Sequence, residues 1–349
     1  MQATYLGGDE RQRLERVAHN RSGLWVALAI TLVALLIFTG IFNLILPDFG
    51  ARLDGLPLVL LGLIFSVVPA AIWLFFFYRL DHLEPEPKQM VFSVFIVGAL
   101  VAAALHTPLI QGLFSLREWQ FNSWWSNLLG NILIAGFIEQ ALIYYTVRYT
   151  VFRHPEFDER VDGVIYAVAA GLGLATVGNF QYVFASGGVD LDIGSIRMVV
   201  NALAYASFAG ILGYFIGQAR FEKTPAYYLP LGLALAAVLN GLFFFLLDRT
   251  FGGGLEYNPW SDLIFAAIVT IVTLALTFWL IERANEETLR LAHNRLRETP
   301  NRGVGNAPVM APAATTVPPS VPPTAPPTST TPPAAPGPEA GPTRTQENG

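Results

Sequence analysis

Residues 127–150 read NLLGNILIAGFIEQALIYYTVRYT, an apolar run with a single acidic residue, Glu139, well inside it. A helix rises about 1.5 Å per residue and needs about 20 apolar residues to cross a bilayer, so this run places Glu139 near the middle of the membrane. A charge there costs roughly 2.5 to 3.5 kcal/mol, so Glu139 is expected to face the protein interior or a wet cavity. Both a functional carboxyl and a neutral, hydrogen-bonded structural carboxylic acid fit that position.

The composition is that of an integral membrane protein. The chain has 349 residues, of which 53% are hydrophobic and 13% charged, whereas a soluble domain has about a quarter of charged residues. The absence of cysteine excludes disulfides, thiolate metal sites and cysteine nucleophiles. The net charge of −5 forms no basic patch, so the lipid bilayer is an expected partner and nucleic acid is not.

Eight apolar runs are long enough to cross a bilayer, and they predict an all-α membrane protein with about eight transmembrane helices. Their limits are 23–46, 57–79, 89–113, 127–149, 163–185, 196–219, 227–247 and 260–282.

The parts of the chain outside these runs are polar. Residues 1–22 form the predicted N-terminal segment, 23–283 the membrane domain and 284–299 a further helix. Residues 300–349 are rich in Pro, Ala and Thr, with few large apolar groups to offset the entropy of ordering, so they are predicted to form a disordered tail.

The distribution of basic residues predicts the orientation in the cytoplasmic membrane. Lys and Arg are retained on the cytoplasmic side, and their number is alternately high and low from one connection to the next. The segment before the first run carries Arg11, Arg13, Arg16 and Arg21, and the segment after the last carries Arg283, Arg290, Arg295, Arg297 and Arg302. Both termini and the helix over 284–299 are therefore expected to be cytoplasmic.

Spans four to seven carry small and polar residues at intervals of four, which place them on one face of each helix. These rows are Asn127, Asn131, Ala135 and Glu139; Gly163, Ala167, Gly171, Ala175 and Asn179; Asn201, Tyr205, Ala209, Gly213 and Gly217; and Gly232, Ala236 and Asn240. Small residues let helices approach closely in lipid, so these four spans are predicted to form the core bundle, with the first and last at its periphery.

This core holds few groups able to bind a metal or activate a nucleophile. A catalytic zinc needs about three protein ligands, whereas the core offers one carboxylate, Glu139, with His106 nearby in the third span. The chain has no HExxH pair, GxSxG motif or Walker loop. Ser207 has no membrane Lys or paired His to activate it, so a nucleophilic mechanism is not supported.

Three segments resemble a known family. The segment YRLDHLEPEP, 78–87, resembles the DRYEPEP motif of the PrsW family of intramembrane proteases. FDERVDGVIYAVAAGLGLATVGNFQYV, 157–183, and FAGILGYFIGQA, 208–219, resemble later segments of that family in the same order. The resemblance spans residues 57–247 and implies kinship with the larger group that includes CAAX-processing membrane proteases, in which Glu and His residues activate water with or without a metal.

The motifs on which the family relies are only partly present. Of EExxK, the first Glu is Glu139, while Gln140 and Ile143 stand at the other two positions. Of FxxxEN, Asn179 is kept, but Gly178 stands where the family has Glu.

Both histidine positions of the family are also replaced, by Tyr205 in the third motif and Asn240 in the fourth. The site residues implied by the resemblance are therefore Glu139, Gln140, Asn179, Tyr205 and Asn240. Glu139 matches the family's catalytic residue, and the other four are degenerate or partial motif positions.

Three hypotheses follow. The first is a catalytically impaired protein without a cofactor that binds a membrane-spanning protein segment or regulates one. The second is an active intramembrane peptidase that uses Glu139 with His106 and cleaves membrane-spanning substrates such as anti-sigma factors. A metal ion is expected only under this second hypothesis. The third is a transporter or channel in which Glu139 relays ions, but the chain shows no internal repeat and no second membrane acid.

Overall fold

A computed structural model describes residues 21–41, 54–80, 85–186, 193–247 and 259–298. Within these ranges the chain forms helices joined by short turns and contains no β-strand, which confirms the predicted all-α class. The long helices are α1 (Arg21–Gly40), α2 (Leu56–Tyr78), α3 (Lys88–Leu113), α4 (Trp124–Thr150), α5 (Asp162–Ser186), α6 (Ile193–Phe221), α7 (Tyr228–Leu247) and α8 (Pro259–Glu298). The predicted tail, 300–349, and residues 1–20 lie outside the described ranges.

Seven of the described helices, α2 to α8, are long and apolar enough to cross a membrane. The apolar part of α1, Val26–Gly40, is shorter, and residues 42–46 of the first predicted span lie outside the described ranges. The eighth span therefore remains a prediction. Helix α8 continues without a break to Glu298, so residues 284–298 are helical.

Helices α5 and α6 form the centre of the bundle, with 78% of the apolar window of each buried inside the protein. Small residues allow their close contact: a Cβ built on Gly163 would lie 2.4 Å from the carbonyl oxygen of Gly213. Helices α2 and α3 pack against α5, while α7 and α8 pack against α6. The four predicted core spans contact one another, and α2, α3 and α8 also pack directly on the central pair.

A second close contact joins α4 to α7 and positions the polar centre of the molecule. A Cβ on Gly136 would lie 2.3 Å from the carbonyl oxygen of Ala237, and one on Gly241 would lie 2.4 Å from Ile132 Cα. Gly136 stands one helical turn before Glu139, and Gly241 directly follows Asn240. The absence of side chains at these two glycines lets the helices approach until those polar side chains meet.

A buried carboxyl joins the turn before α3 to the start of α5. Glu86, between two prolines, is 3% exposed and accepts a hydrogen bond from the Tyr166 hydroxyl. The Asp162 carboxyl lies beside it, and Tyr78 donates to the Glu86 carbonyl oxygen at 2.9 Å. Burial raises the pKa of Glu86 above its usual range, more strongly than its hydrogen bonds lower it.

A polar contact at the same end of α5 ties α6 to α8. The buried Arg160 side chain donates from Nε to Gln218 Oε1 at 3.1 Å and from Nη2 to Glu222 Oε1 at 2.9 Å. The Gln218 amide in turn donates to Glu287 of α8. Because Arg160 and Gln218 both have partners here, the contact fixes the start of α5 and the end of α6 relative to α8.

The close contact between α5 and α6 makes Gly213→Ala destabilising. The added Cβ would lie 2.3 Å from the Gly163 carbonyl oxygen, so the helices must separate, at about 1 to 3 kcal/mol for overpacking. We expect a lower midpoint of thermal unfolding in detergent. Gly112→Ala is the matched control, since nothing lies within 4 Å of its Cβ, and an equal loss in both variants would contradict this account of the packing.

The raised pKa of Glu86 predicts that part of the stability depends on pH. A carboxyl whose pKa is higher in the folded state binds its proton more tightly there, so stability falls as pH rises from about 4.5, its ordinary value, through the folded pKa. Glu86→Gln is neutral at every pH and still accepts from Tyr166, so thermal unfolding across pH should be flatter in this variant. Glu118→Gln, at an exposed residue, should keep the wild-type profile.

Candidate functional site

The location of His106 is set by irregular helical turns in α3. Residues Ala102–His106 and Pro108–Leu113 form wide, π-helical turns rather than regular α-helix. Pro108 has no backbone N–H and cannot donate to the preceding turn, which explains why the regular hydrogen-bond pattern is lost here. Such wide turns occur frequently at functional sites. In this chain they carry the His106 side chain towards α4.

The Glu139 carboxyl is the centre of a polar cluster formed by four helices. His106 Nε2 from α3 lies 2.8 Å from Glu139 Oε1, and Asn240 Nδ2 from α7 donates to Glu139 Oε2 at 2.8 Å. Tyr205 from α6 interacts with the same carboxyl. Glu139 itself is 3% exposed. Each carboxyl oxygen therefore has a partner from another helix, and a proton can be shared between Glu139 and His106.

A cavity of about 530 Å³ extends from one end of the bundle to this cluster. Its floor includes His106, Glu139 and Tyr205. Its mouth includes Arg117, in the connection between α3 and α4, and Arg197, in the first turns of α6. The cavity therefore connects the buried carboxyl with the helix ends.

Amide side chains form one wall of the cavity. Asn201 Nδ2 donates to Asn179 Oδ1 at 2.8 Å, and Asn179 Nδ2 donates to the Met198 carbonyl oxygen at 3.2 Å. Gly178 also lines the cavity, and a Cβ built there would have nothing within 4 Å. The position at which the resemblance implies a glutamate is therefore an empty part of the cavity wall.

The five residues implied by the motifs occupy different surroundings. Glu139, Asn179 and Tyr205 line the cavity, while Asn240 contacts Glu139 and does not line it. Gln140 is fully buried away from the cavity, and neither polar atom of its side chain has a hydrogen-bond partner among the described residues. The structure thus brings four of the five together around or next to the cavity.

Comparison with known proteins decides the family. A family model described as PrsW family intramembrane metalloprotease matches residues 86–277, more than half of the chain. The chain belongs to the PrsW family. The match covers α3 to α7 and most of the membrane part of α8, and thus every residue of the polar cluster.

Similarity to individual PrsW proteins supports the same family assignment. The chain is 27% identical to Protease PrsW of Bacillus subtilis over 184 residues, which are 52% of this chain and 80% of the relative. It is 28% identical to Protease PrsW of Oceanobacillus iheyensis over 233 residues, 64% of this chain and 96% of the relative. No solved structure matches the chain. The family membership and the long apolar helices together show that the chain is an integral membrane protein.

The donor set at the PrsW-family site does not fit a catalytic metal. A zinc ion needs about three ligands from His, Cys, Asp or Glu beside its open position. Only Glu139 and His106 are of these types at the cluster, and the described residues contain no group of three such side chains able to hold a metal. Tyr205 and Asn240 stand where the resemblance implies histidine, so no catalytic step through a metal is assigned to this chain.

The structure adds residues that the sequence did not single out for this site. Arg117 and Arg197 were not among the candidate site residues, yet both line the cavity. Arg197, Asn201 and Tyr205 follow one another at intervals of four, so periodicity held a signal for Arg197. The direct contact of His106 with Glu139 had no such signal, because the two residues are 33 positions apart.

The unpartnered amide of Gln140 predicts a stabilising substitution. Burying an amide without hydrogen bonds costs about 1 to 3 kcal/mol, so Gln140→Met, of similar shape and apolar, should raise the midpoint of thermal unfolding in detergent. Gln218→Met is the matched control, since Gln218 is buried but bonded to Arg160 and Tyr214. The control should lower the midpoint. Destabilisation by Gln140→Met would show that its amide is satisfied.

Proposed function

We propose that this chain is a catalytically impaired member of the PrsW family that binds a membrane-spanning protein segment in its cavity. The observation that carries this proposal is that both oxygens of Glu139 already have partners, His106 and Asn240, at 2.8 Å. With Tyr205, which also bonds this carboxyl, these partners take three of the about four acceptor sites of a carboxylate and leave little room for an attacking water. The second carboxylates of the family motifs are Gln140 and Gly178 here, so no other acid is available to act as general base.

The cavity supports a binding function. It is about 530 Å³ in volume and reaches the helix ends, and its wall presents amides able to bond a peptide backbone. A segment that unwinds locally exposes N–H and C=O groups, and in a membrane these must be satisfied by protein. Asn179, Gln181 and Asn201 provide such partners. A binding protein of this kind would regulate its partner without cleaving it.

One observation favours the second candidate, an active peptidase. The contact between His106 and Glu139 lies on the cavity wall, where a proton taken from water by Glu139 could be passed to the imidazole. Tyr205 and the amides would then stabilise the developing oxyanion as neutral donors. In this alternative, cleavage of a membrane-spanning substrate depends on Glu139 and His106 together.

The proposed orientation follows the distribution of basic residues. Both chain ends are expected in the cytoplasm, which places the connection containing Arg117, and with it the cavity mouth, on the outer side. The bound segment would therefore enter the cavity from outside or from the bilayer.

The proposal is tested by measuring binding and cleavage in one preparation. Purified protein is reconstituted in nanodiscs with a fluorescent single-span peptide, and energy transfer reports binding while mass spectrometry reports products. We expect binding without products and no stoichiometric zinc, because two candidate ligands do not complete a zinc site. Turnover that Glu139→Ala abolishes would establish the peptidase instead.

Variants of Glu139 separate its structural role from a catalytic one. Glu139→Gln keeps an acceptor and a donor for its neighbours, so stability and binding should be nearly unchanged. Glu139→Leu leaves Asn240 and His106 without their partner and should cost on the order of 1 kcal/mol in thermal unfolding. Equal destabilisation by both variants would contradict the structural account.

A further inference from the structure

Two arginines at the cavity mouth have no acidic partner among the described residues. The Arg197 guanidinium lies 4.6 Å from the centroid of the Tyr182 ring, and within the described residues it forms no ion pair. The exposed Arg117 lines the same cavity, and its backbone N–H, not its side chain, bonds Gln111 Oε1. Two cations therefore face a cavity in which Glu139, already bonded at the floor, is the only carboxylate among the described lining residues.

The spacing along α6 gives the distance between these charges. Arg197, Asn201 and Tyr205 stand at intervals of four on one face, and all three line the cavity. Eight residues of helix measure about 12 Å along the axis, so Arg197 lies about that far above the level of Tyr205 and Glu139. An extended peptide advances about 3.3 Å per residue, so three or four residues span the same distance.

The amide groups of the lining favour a peptide over a lipid, although apolar residues such as Phe244 and Leu247 also line the cavity. Asn179, Gln181 and Asn201 are amides, which match backbone N–H and C=O groups and do not match acyl chains. A carboxylate on the bound peptide, at the height of Arg197, would pair with the guanidinium of that residue.

We propose that the cavity selects membrane-spanning segments with an acidic residue three or four positions beyond the amide that faces Glu139, with Arg197 as partner of that carboxylate. This inference rests on the proposed binding function and names the chemical class of its partner. Arg117 adds a second positive charge at the mouth. A segment with a basic or neutral residue at that position is bound more weakly.

The test compares peptides that differ in one residue. A peptide of about 20 Leu and Ala residues carries Asp at successive positions near its outer end, or Asn at the same positions, and binds protein in phosphatidylcholine nanodiscs. We expect the best Asp peptide to bind about ten-fold more tightly than its Asn counterpart, as for one charge-assisted contact. Arg197→Gln should remove the difference, while Arg197→Lys should retain part of it.

The decisive comparison reverses the charge at Arg197. Arg197→Glu should prefer a peptide with Lys in place of Asp, and this rescue also shows that the variant is folded. Arg153→Gln, at an exposed arginine that does not line the cavity, should behave as wild type.

The remaining outcomes separate the two proposals. Equal binding of Asp and Asn peptides overturns the preference for an acid and leaves the binding function standing, whereas binding of neither peptide overturns the binding function itself. Displacement of the peptide by phosphatidylglycerol, lost in Arg197→Gln, assigns the cavity mouth to a lipid headgroup and overturns the inference.

Discussion

A carboxyl group in the membrane interior must find its partners within the protein, and in this chain that requirement joins four helices. Glu139 on α4 contacts His106 on α3, Asn240 on α7 and Tyr205 on α6. Water does not compensate a lost partner there as it does at a surface, so each of these contacts constrains where the other helices can lie. The glycine contacts of α4 with α7 make the 2.8 Å distance between Glu139 and Asn240 possible.

Much of the fold could be predicted from the sequence, because a bilayer imposes a length and an apolar composition on any helix that crosses it. The small-residue rows likewise placed α5 and α6 in the core together with α4 and α7, although they did not single out α5 and α6 as its centre. The direct contact of His106 with Glu139 could not be predicted in this way. It depends on how far the wide turns of α3 rotate the imidazole, and spacing along a sequence carries no measure of that rotation.

The site was only partly predictable for a related reason. Motif positions give residue types in a family, and Gln140 was included because it stands at such a position. Its neighbour Glu139 faces the cavity, but consecutive helix residues point about 100° apart, and Gln140 is directed into the packed interior. Glu86 shows the converse. It lay within a quoted motif, and its importance became visible only when Tyr166 and Asp162 were found beside it.

The open space beside Gly178 has a consequence for replacing this residue. Nothing lies within 4 Å of a Cβ built there, at the position where the resemblance implies a glutamate. The first atom of a larger side chain therefore needs no movement of the neighbouring helices. By contrast, a glutamate at the fully buried position of Gln140 would place a charge out of reach of solvent. The two positions therefore differ in what a glutamate would meet: open cavity at the first and the packed core at the second.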